Sequence, residues 1–266
     1  MKGLTTKEYK GLGDKESFLL RSLARKDKEI FTIEDAKEII ESPKKVVHAL
    51  SKKGWILHLK RGLYAIVPLD IGPRGADAFT IHDFVIASHL VEPYYVGYWS
   101  ALNYHGLTDE IPRTVFIATQ KAKKPLRILY SDFYFVKLTN KKFFGFEVIE
   151  IDRRKVNMSN KEKTIADCLD HPEHAGGIEE VARSIFFNQE EIAFEAIEGD
   201  LLKMGNMTAM KRFGYILDAC NIEHEIKVNL SKGFGLLDPL SPREGYYDKK
   251  WLLLINRRIR PERWMY

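Results

Sequence analysis

Thr32–Pro68, TIEDAKEIIESPKKVVHALSKKGWILHLKRGLYAIVP, reads as two short helices followed by a two-stranded wing. Thr32 stands at an N-cap position, with Glu34 and Asp35 behind it as first-turn acids that offset the helix dipole. Ile33, Ala36, Ile39 and Ile40 recur at helical spacing and give that helix one apolar face. Ser42-Pro43 makes the break. Serine is a good N-cap, and proline suits the first helical position because its missing N–H has no partner there. The second helix is expected to run to about Lys53 with Val46, Val47 and Leu50 inward, until Gly54 ends it. Trp55, Leu57 and Leu59 then alternate with Ile56 and His58, Lys60-Arg61-Gly62 turns the chain, and Leu63–Val67 returns it.

Between Pro43 and Val67 there are six Lys or Arg and no Asp or Glu. Lys44, Lys45, His48, Ser51 and Lys52 fall on the faces of the second helix that are not apolar, and Lys60 and Arg61 sit on the wing. A helix-turn-helix sets the first turns of its second helix against base edges while its wing touches the sugar-phosphate backbone. Ser42, Lys44, Lys45, His48, Ser51, Lys52, Lys60 and Arg61 are therefore the expected contacts to duplex DNA, with Lys44, Lys45 and His48 toward bases and Lys60 and Arg61 toward phosphates. The plainer alternative is a small winged helix used only for protein contacts, which the one-signed charge disfavours.

Net charge is +5 over 266 residues, but unevenly placed: residues 1–67 carry +6 and the remainder −1. A polyanion would meet its positive field at the N-terminal end. The length allows one large or two ordinary domains. No apolar run is long enough to span a bilayer, and MKGLTTKEYKGLGDK lacks a signal-peptide core, so a cytoplasmic protein is expected. Two cysteines far apart, Cys168 and Cys220, imply neither a disulfide framework nor a zinc module.

Upstream of the opening stretch, Glu16–Lys26 forms an amphipathic helix, and Lys2, Lys7 and Lys10 belong to a solvated leader. Leu69–Ala78, with Gly72, Pro73 and Gly75, is the expected linker. The domains are thus 1–68, a winged helix-turn-helix; 69–78, a linker; and 79–266, a mixed α/β domain. In that last domain Ile81–Leu90 and Ser100–Gly106 read as helices, while Tyr94–Gly97, Val115–Thr119, Ser131–Leu138 and Phe146–Asp152 read as strands. Ser159 and Glu162 have the spacing of a capping box before Ile165, Ala166 and Leu169. Helices over Ile178–Phe187, Ala193–Met204 and Met207–Leu217 follow, and extended segments close the chain. The fold class is α+β, strands in the middle of the second domain and helices after.

Candidate chemistry is sparse. Cys168, His171 and His174, flanked by Asp167 and Asp170, have ligand types that zinc accepts, but Pro172 interrupts the helix and no second ligand pair stands out, so no metal and no cofactor is expected. Ser100, His105 and Asp109 lack the strained elbow of a hydrolase nucleophile. Glu147, Glu150, Asp152 and Lys155 suggest a metal-dependent nuclease, yet no facing acid is identifiable and a charged strand edge explains them. Arg257, Arg258, Arg260 and Arg263 read as a solvated basic tail, or as a flank to phosphates. No catalytic residue is assigned.

Three segments after the winged helix carry a family resemblance: YYVGYWSALNYHGLTDEIP (Tyr94–Pro112), SNKEKTIADCLDHPEHAGGIEEV (Ser159–Val181) and MKRFGYIL (Met210–Leu217). Together with the winged helix they resemble the AbiEi antitoxins, the transcriptional-regulator component of type IV toxin–antitoxin and phage abortive-infection systems. The resemblance spans nearly the whole chain. It implies a non-enzymatic repressor that binds inverted repeats in its own promoter and counters a cognate nucleotidyltransferase toxin through its second domain. It implies no membrane partner. An inverted repeat also implies a homodimer or cooperative binding on DNA; the type IV label implies no stable complex with the toxin, but related systems vary and direct contact with it stays an open alternative. The toxin's own Gly-Ser and Asp-x-Asp signature is absent from this chain. A metal-dependent nuclease and a purely protein-binding module stay as alternatives.

Overall fold

Leucines three and four apart coil DKESFLLRSLAR into α1 (Asp14–Arg25), which buries Leu19, Leu20 and Leu23. The computed structural model describes residues 11–68, 71–72, 79–226 and 233–264. Lys2, Lys7, Lys10 and most of the expected linker fall outside them. The chain divides into two units, Met1–Ile81 and His82–Tyr266.

In the first unit, α1 is followed by β1 (Ile30–Thr32), α2 (Ile33–Lys37), α3 (Pro43–Lys53), β2 (Ile56–Lys60) and β3 (Leu63–Ile66). The three strands pair antiparallel in the order β1-β3-β2, so the hairpin gains a third strand that the alternation alone did not reveal. This is a winged helix-turn-helix. Thr32 ends β1 and caps α2: its Oγ1 accepts from the Asp35 N–H at 3.2 Å while Asp35 Oδ2 accepts from the Thr32 N–H at 2.7 Å. Only five residues of α2 are helical, and Ile39 and Ile40 pack on the core from beyond its end. Ser42 occupies the N-cap of α3, but its hydroxyl makes no cap bond; Pro43 at the first position sets the entry instead. Gly54, at φ 81°, closes α3 by donating to Leu50 and Ser51 carbonyls.

The second unit runs α4 (Asp83–Ala87), β4 (Tyr94–Val96), α5 (Tyr98–Tyr104), β5 (Thr114–Thr119), β6 (Leu126–Ile128), β7 (Ser131–Lys137), β8 (Phe146–Ile151), β9 (Arg154–Ser159) and α6 (Lys161–Asp170). It continues through α7 (Ile178–Phe187), α8 (Phe194–Met204), α9 (Met207–Ala219), β10 (Gly235–Leu236), β11 (Tyr246–Asp248) and β12 (Leu253–Ile255). Six strands form a mixed sheet in the order β6-β7-β5-β4-β9-β8, and the last three form a small sheet of order β10-β12-β11. The alternation did not disclose β6, β9 or β11. Inside the large sheet, β4 and β9 are parallel with one registered pair, Val96 and Met158. Side chains join them there as well: Asn157 Nδ2 donates to the Tyr94 carbonyl at 3.1 Å, and its backbone N–H donates to the Tyr94 hydroxyl at 3.2 Å.

Helix α6 is the axis of this unit, packing against α5, α7, α8 and α9. Its cap is Asn160, whose Oδ1 accepts from the Lys163 N–H at 2.8 Å. The expected cap, Ser159, is one residue early because it completes β9 opposite Phe146, and its buried hydroxyl pairs with Thr164 Oγ1 at 2.7 Å. Inside α6, Lys163 and Asp167 are fully buried and joined to each other, four residues apart. The Tyr95 hydroxyl donates to Asp167 at 2.8 Å and accepts from Lys163 at 3.1 Å. Burial raises the Asp167 carboxyl above its ordinary range, while Lys163 and Tyr95 pull it back. The buried Arg212 guanidinium of α9 donates to the carbonyls of Leu169 and Asp170 at the end of α6, and to those of Leu236 and Leu237. A cation on the last carbonyls of a helix satisfies acceptors that have no helical partner.

Candidate nucleic-acid interface

Each residue of an α-helix advances roughly 100° around its axis. Pro43, Val46, Val47 and Leu50 make the buried line of α3. Lys44, His48 and Ser51 form a line beside it, and Lys45 and Lys52 a further line that points most directly away from the core. Lys44, Lys45, His48 and Lys52 are exposed, and Ser51 is half-buried.

The first of these lines borders an open groove of about 750 Å³ between α3, α2 and the wing. Lys44, His48 and Ser51 face Arg61, Gly62, His58 and Tyr64 across it, with Ile33, Glu34 and Lys37 at the α2 side. Gly62 adopts φ 80°, a left-handed value that glycine takes without strain, and so turns the wing directly after Arg61. The Gly62 carbonyl accepts from the Ile33 N–H at 3.1 Å, which ties the wing tip to the start of α2.

Of the eight residues expected from the sequence, the groove gathers Lys44, His48, Ser51 and Arg61. Lys45 and Lys52 stand on the outer line of α3, Ser42 is exposed at its start, and Lys60 is half-buried at the end of β2. Charge counting also treated Lys53 like its neighbours. Lys53 is instead committed to the fold, donating to Glu16 Oε2 at 2.6 Å and to the Gly11 carbonyl at 3.0 Å. Burial opposes ionisation of Glu16, but the bonds from Lys53 and the Gly13 N–H outweigh it and hold that carboxyl below its ordinary 4.5.

The other six groove residues, among them Lys37, His58 and Tyr64, were not singled out as contacts. For His58 and Tyr64, strand register was the available signal. Phe31, Tyr64 and His58 are successive cross-strand partners, and their rings touch in turn at 5.7 and 5.2 Å. This run leads from the buried core at Phe31 to the exposed His58. Glu34 is the acid on the groove, 3.3 Å from Lys37 Nζ.

Residues 19–67 match the family model of the AbiEi antitoxin transcriptional regulators. The AbiEi match runs from the middle of α1 through the end of the wing, so it takes in the whole groove. Over this segment the match agrees with the resemblance read from the sequence, and the winged-helix α+β class stands. The crystal structure of the RV2827C protein from Mycobacterium tuberculosis is similar over 91% of this chain and 92% of that one, with a TM-score of 0.56 at 14% identity. That likeness concerns fold alone. No curated protein matches the sequence. Among the described residues no helix is long and apolar enough to cross a membrane.

The other sequence candidates are dispersed through the second unit. Ser100 Oγ donates to the Thr114 carbonyl and accepts from the Phe116 N–H, whereas the His105 ring bonds the Ser159 carbonyl at 2.6 Å. Glu147 and Glu150 are an odd number of residues apart on β8 and so point to opposite faces, both exposed. Arg257 is not a free tail: its guanidinium holds Glu179 at 2.6 and 3.0 Å, and Ile259 beyond it is buried. Cys168 is sealed in the core, where burial pushes its thiol well up, and Cys220 is pushed up to about 12 by the same cause.

Proposed function

We propose that the chain is a DNA-binding repressor and antitoxin whose α3 enters the major groove of its own promoter. The observation that carries this reading is the basic surface formed by the two outer lines of α3, a helix without acidic residues, and the wing residue Arg61, with Glu34 of α2 the acid on the groove, within the segment matched to a regulator family. Lys44, Lys45 and His48 address base edges, Ser51 supports them, and Ser42, Lys52, Lys60 and Arg61 meet phosphates. Inverted repeats suit two copies related by a two-fold axis, or cooperative loading of half-sites. The antitoxin role follows the family; the nucleotidyltransferase toxin as its target follows the resemblance. Action by binding rather than catalysis is part of the same proposal.

Binding to the upstream promoter across a salt series tests it, wild type against Lys44→Ala/Lys45→Ala/Arg61→Ala. Preference for the promoter over random duplex is expected, and the triple variant should lose affinity and shed about one unit of salt slope per phosphate contact removed. Equal, salt-insensitive behaviour of both proteins would sink the reading.

A further inference from the structure

The turn after α6, Pro172–His174, is a single 3-10 turn closed by the His174 N–H on the His171 carbonyl at 2.9 Å. Residues three apart in such a turn eclipse one another. His171 and His174 are three apart, and their rings stack at 5.6 Å with an interplanar angle of 26°. Glu173 turns back to the same place, its Oε1 lying 2.9 Å from His171 Nδ1. One ligand atom from each of the three lies within 4.8 Å of the others, the one such group among the described residues. Cys168, grouped with these histidines by ligand type, is not in the cluster, and Glu173 is its third member.

From this arrangement we infer a binding site for a divalent transition metal of the zinc class, with His171 Nδ1, the Glu173 carboxylate and the His174 imidazole as ligands. Two imidazoles and one carboxylate are a ligand set zinc uses when a fourth position stays open to water. Bonds of about 2.0–2.2 Å require ligand atoms about 3.4 Å apart, so metal binding requires side-chain rotations that draw the cluster in from its 4.8 Å spread. Behind the ligands the surroundings fit as well. His171 Nε2 faces Asp170 Oδ2 at 3.4 Å, on the far side of the ring from Glu173. A carboxylate on the second nitrogen is the usual outer partner of a metal-bound histidine, because it fixes the tautomer and ring orientation. Asp170 is itself held, by Lys142 at 2.5 Å and by Asn206. Tyr98 packs edge-on against His174 at 5.5 Å, and its buried hydroxyl has no hydrogen-bond partner. Tyr98 is also held at φ 55°, a left-handed value unusual for a bulky residue. An ordered water on the ion's open position would give that hydroxyl a partner.

The test titrates the full-length, tag-free protein with zinc chloride by calorimetry and with cobalt chloride by visible absorption. One equivalent of zinc should bind. His174→Ala and Glu173→Gln should each lower affinity at least about tenfold, the scale at which even outer partners of a site register. Cobalt should give the visible bands of a low-coordinate nitrogen and oxygen site, a readout on the wild-type protein that needs no variant to fold. Absence of zinc binding, affinity unchanged in both variants, or a cobalt–thiolate charge-transfer band would each overturn the assignment.

Discussion

Lys52 and Lys53 are adjacent and chemically identical, yet the fold uses them differently. Lys52 stands exposed on the outer line of α3, whereas Lys53 bridges to Glu16 of α1. Lys52→Ala should reduce promoter affinity and its salt slope by about one unit while leaving the melting temperature unchanged. Lys53→Ala should do the reverse, costing about 1–2 kcal/mol of unfolding free energy with little change in slope. No local signal separates these two residues, because the distinction depends on a partner 37 positions away. Gly214 is a similar case. It looks like a weak point in α9, but an added methyl would overlap the Trp251 ring, which is buried. Gly214→Ala should therefore destabilise by about 1–3 kcal/mol, despite alanine's better helix propensity, as urea denaturation would register.

Helix α6 combines local signals with tertiary ones. Its apolar spacing and polar start were readable, and it forms within two residues of where they placed it. The identity of its cap was not, since pairing of β9 claims Ser159 and leaves the role to Asn160. Lys163 and Asp167 resemble an ordinary surface pair at helical spacing, and only the packing of α5, α8 and α9 around α6 shows them buried. Removing one member of a buried pair strands the other's charge, so Lys163→Met should cost about 3–5 kcal/mol. Replacing both, as Lys163→Met with Asp167→Leu, should recover much of that loss, measured as denaturation midpoints at constant slope. In the same way α4 and α2 come out shorter than their apolar periodicity suggested, because periodicity reports which residues are buried and not whether the backbone is helical between them.

At the scale of the molecule, each unit has a hydrophobic core of its own. The first depends on ionised carboxylates. Burial opposes ionisation of Asp35, but bonds from Lys28 and from Thr32 hold it below its ordinary 3.8, and Glu16 is held below 4.5 in the same sense. A carboxyl depressed in the folded state stabilises above its unfolded value and loses that contribution as pH falls through its folded value. The N-terminal unit should thus weaken below about pH 4, and Asp35→Asn should flatten that acid limb while lowering stability at neutral pH. Calorimetry of the full chain between pH 2.5 and about 7 would follow it. Charge asymmetry, helix periodicity and turn residues made this unit legible from 67 residues of sequence, apart from the short β1. The second unit was less so. Its central strands join across long intervals of chain, and its histidine cluster arises from a turn whose stacking no linear spacing encodes.

The single registered pair between β4 and β9 gives the large sheet an unusual clock. Central strands ordinarily surrender their amide protons last, since nothing short of global opening frees them. Here an interior junction is the seam, held by Asn157 and Tyr94 more than by a continuous ladder, while the β4–β5 and β8–β9 pairs on either side are registered over their length. In deuterated solvent, isotope should reach the β4–β9 junction ahead of β5 and β7. The sheet would then age from this inner seam outward, as two plates that part before either one frays.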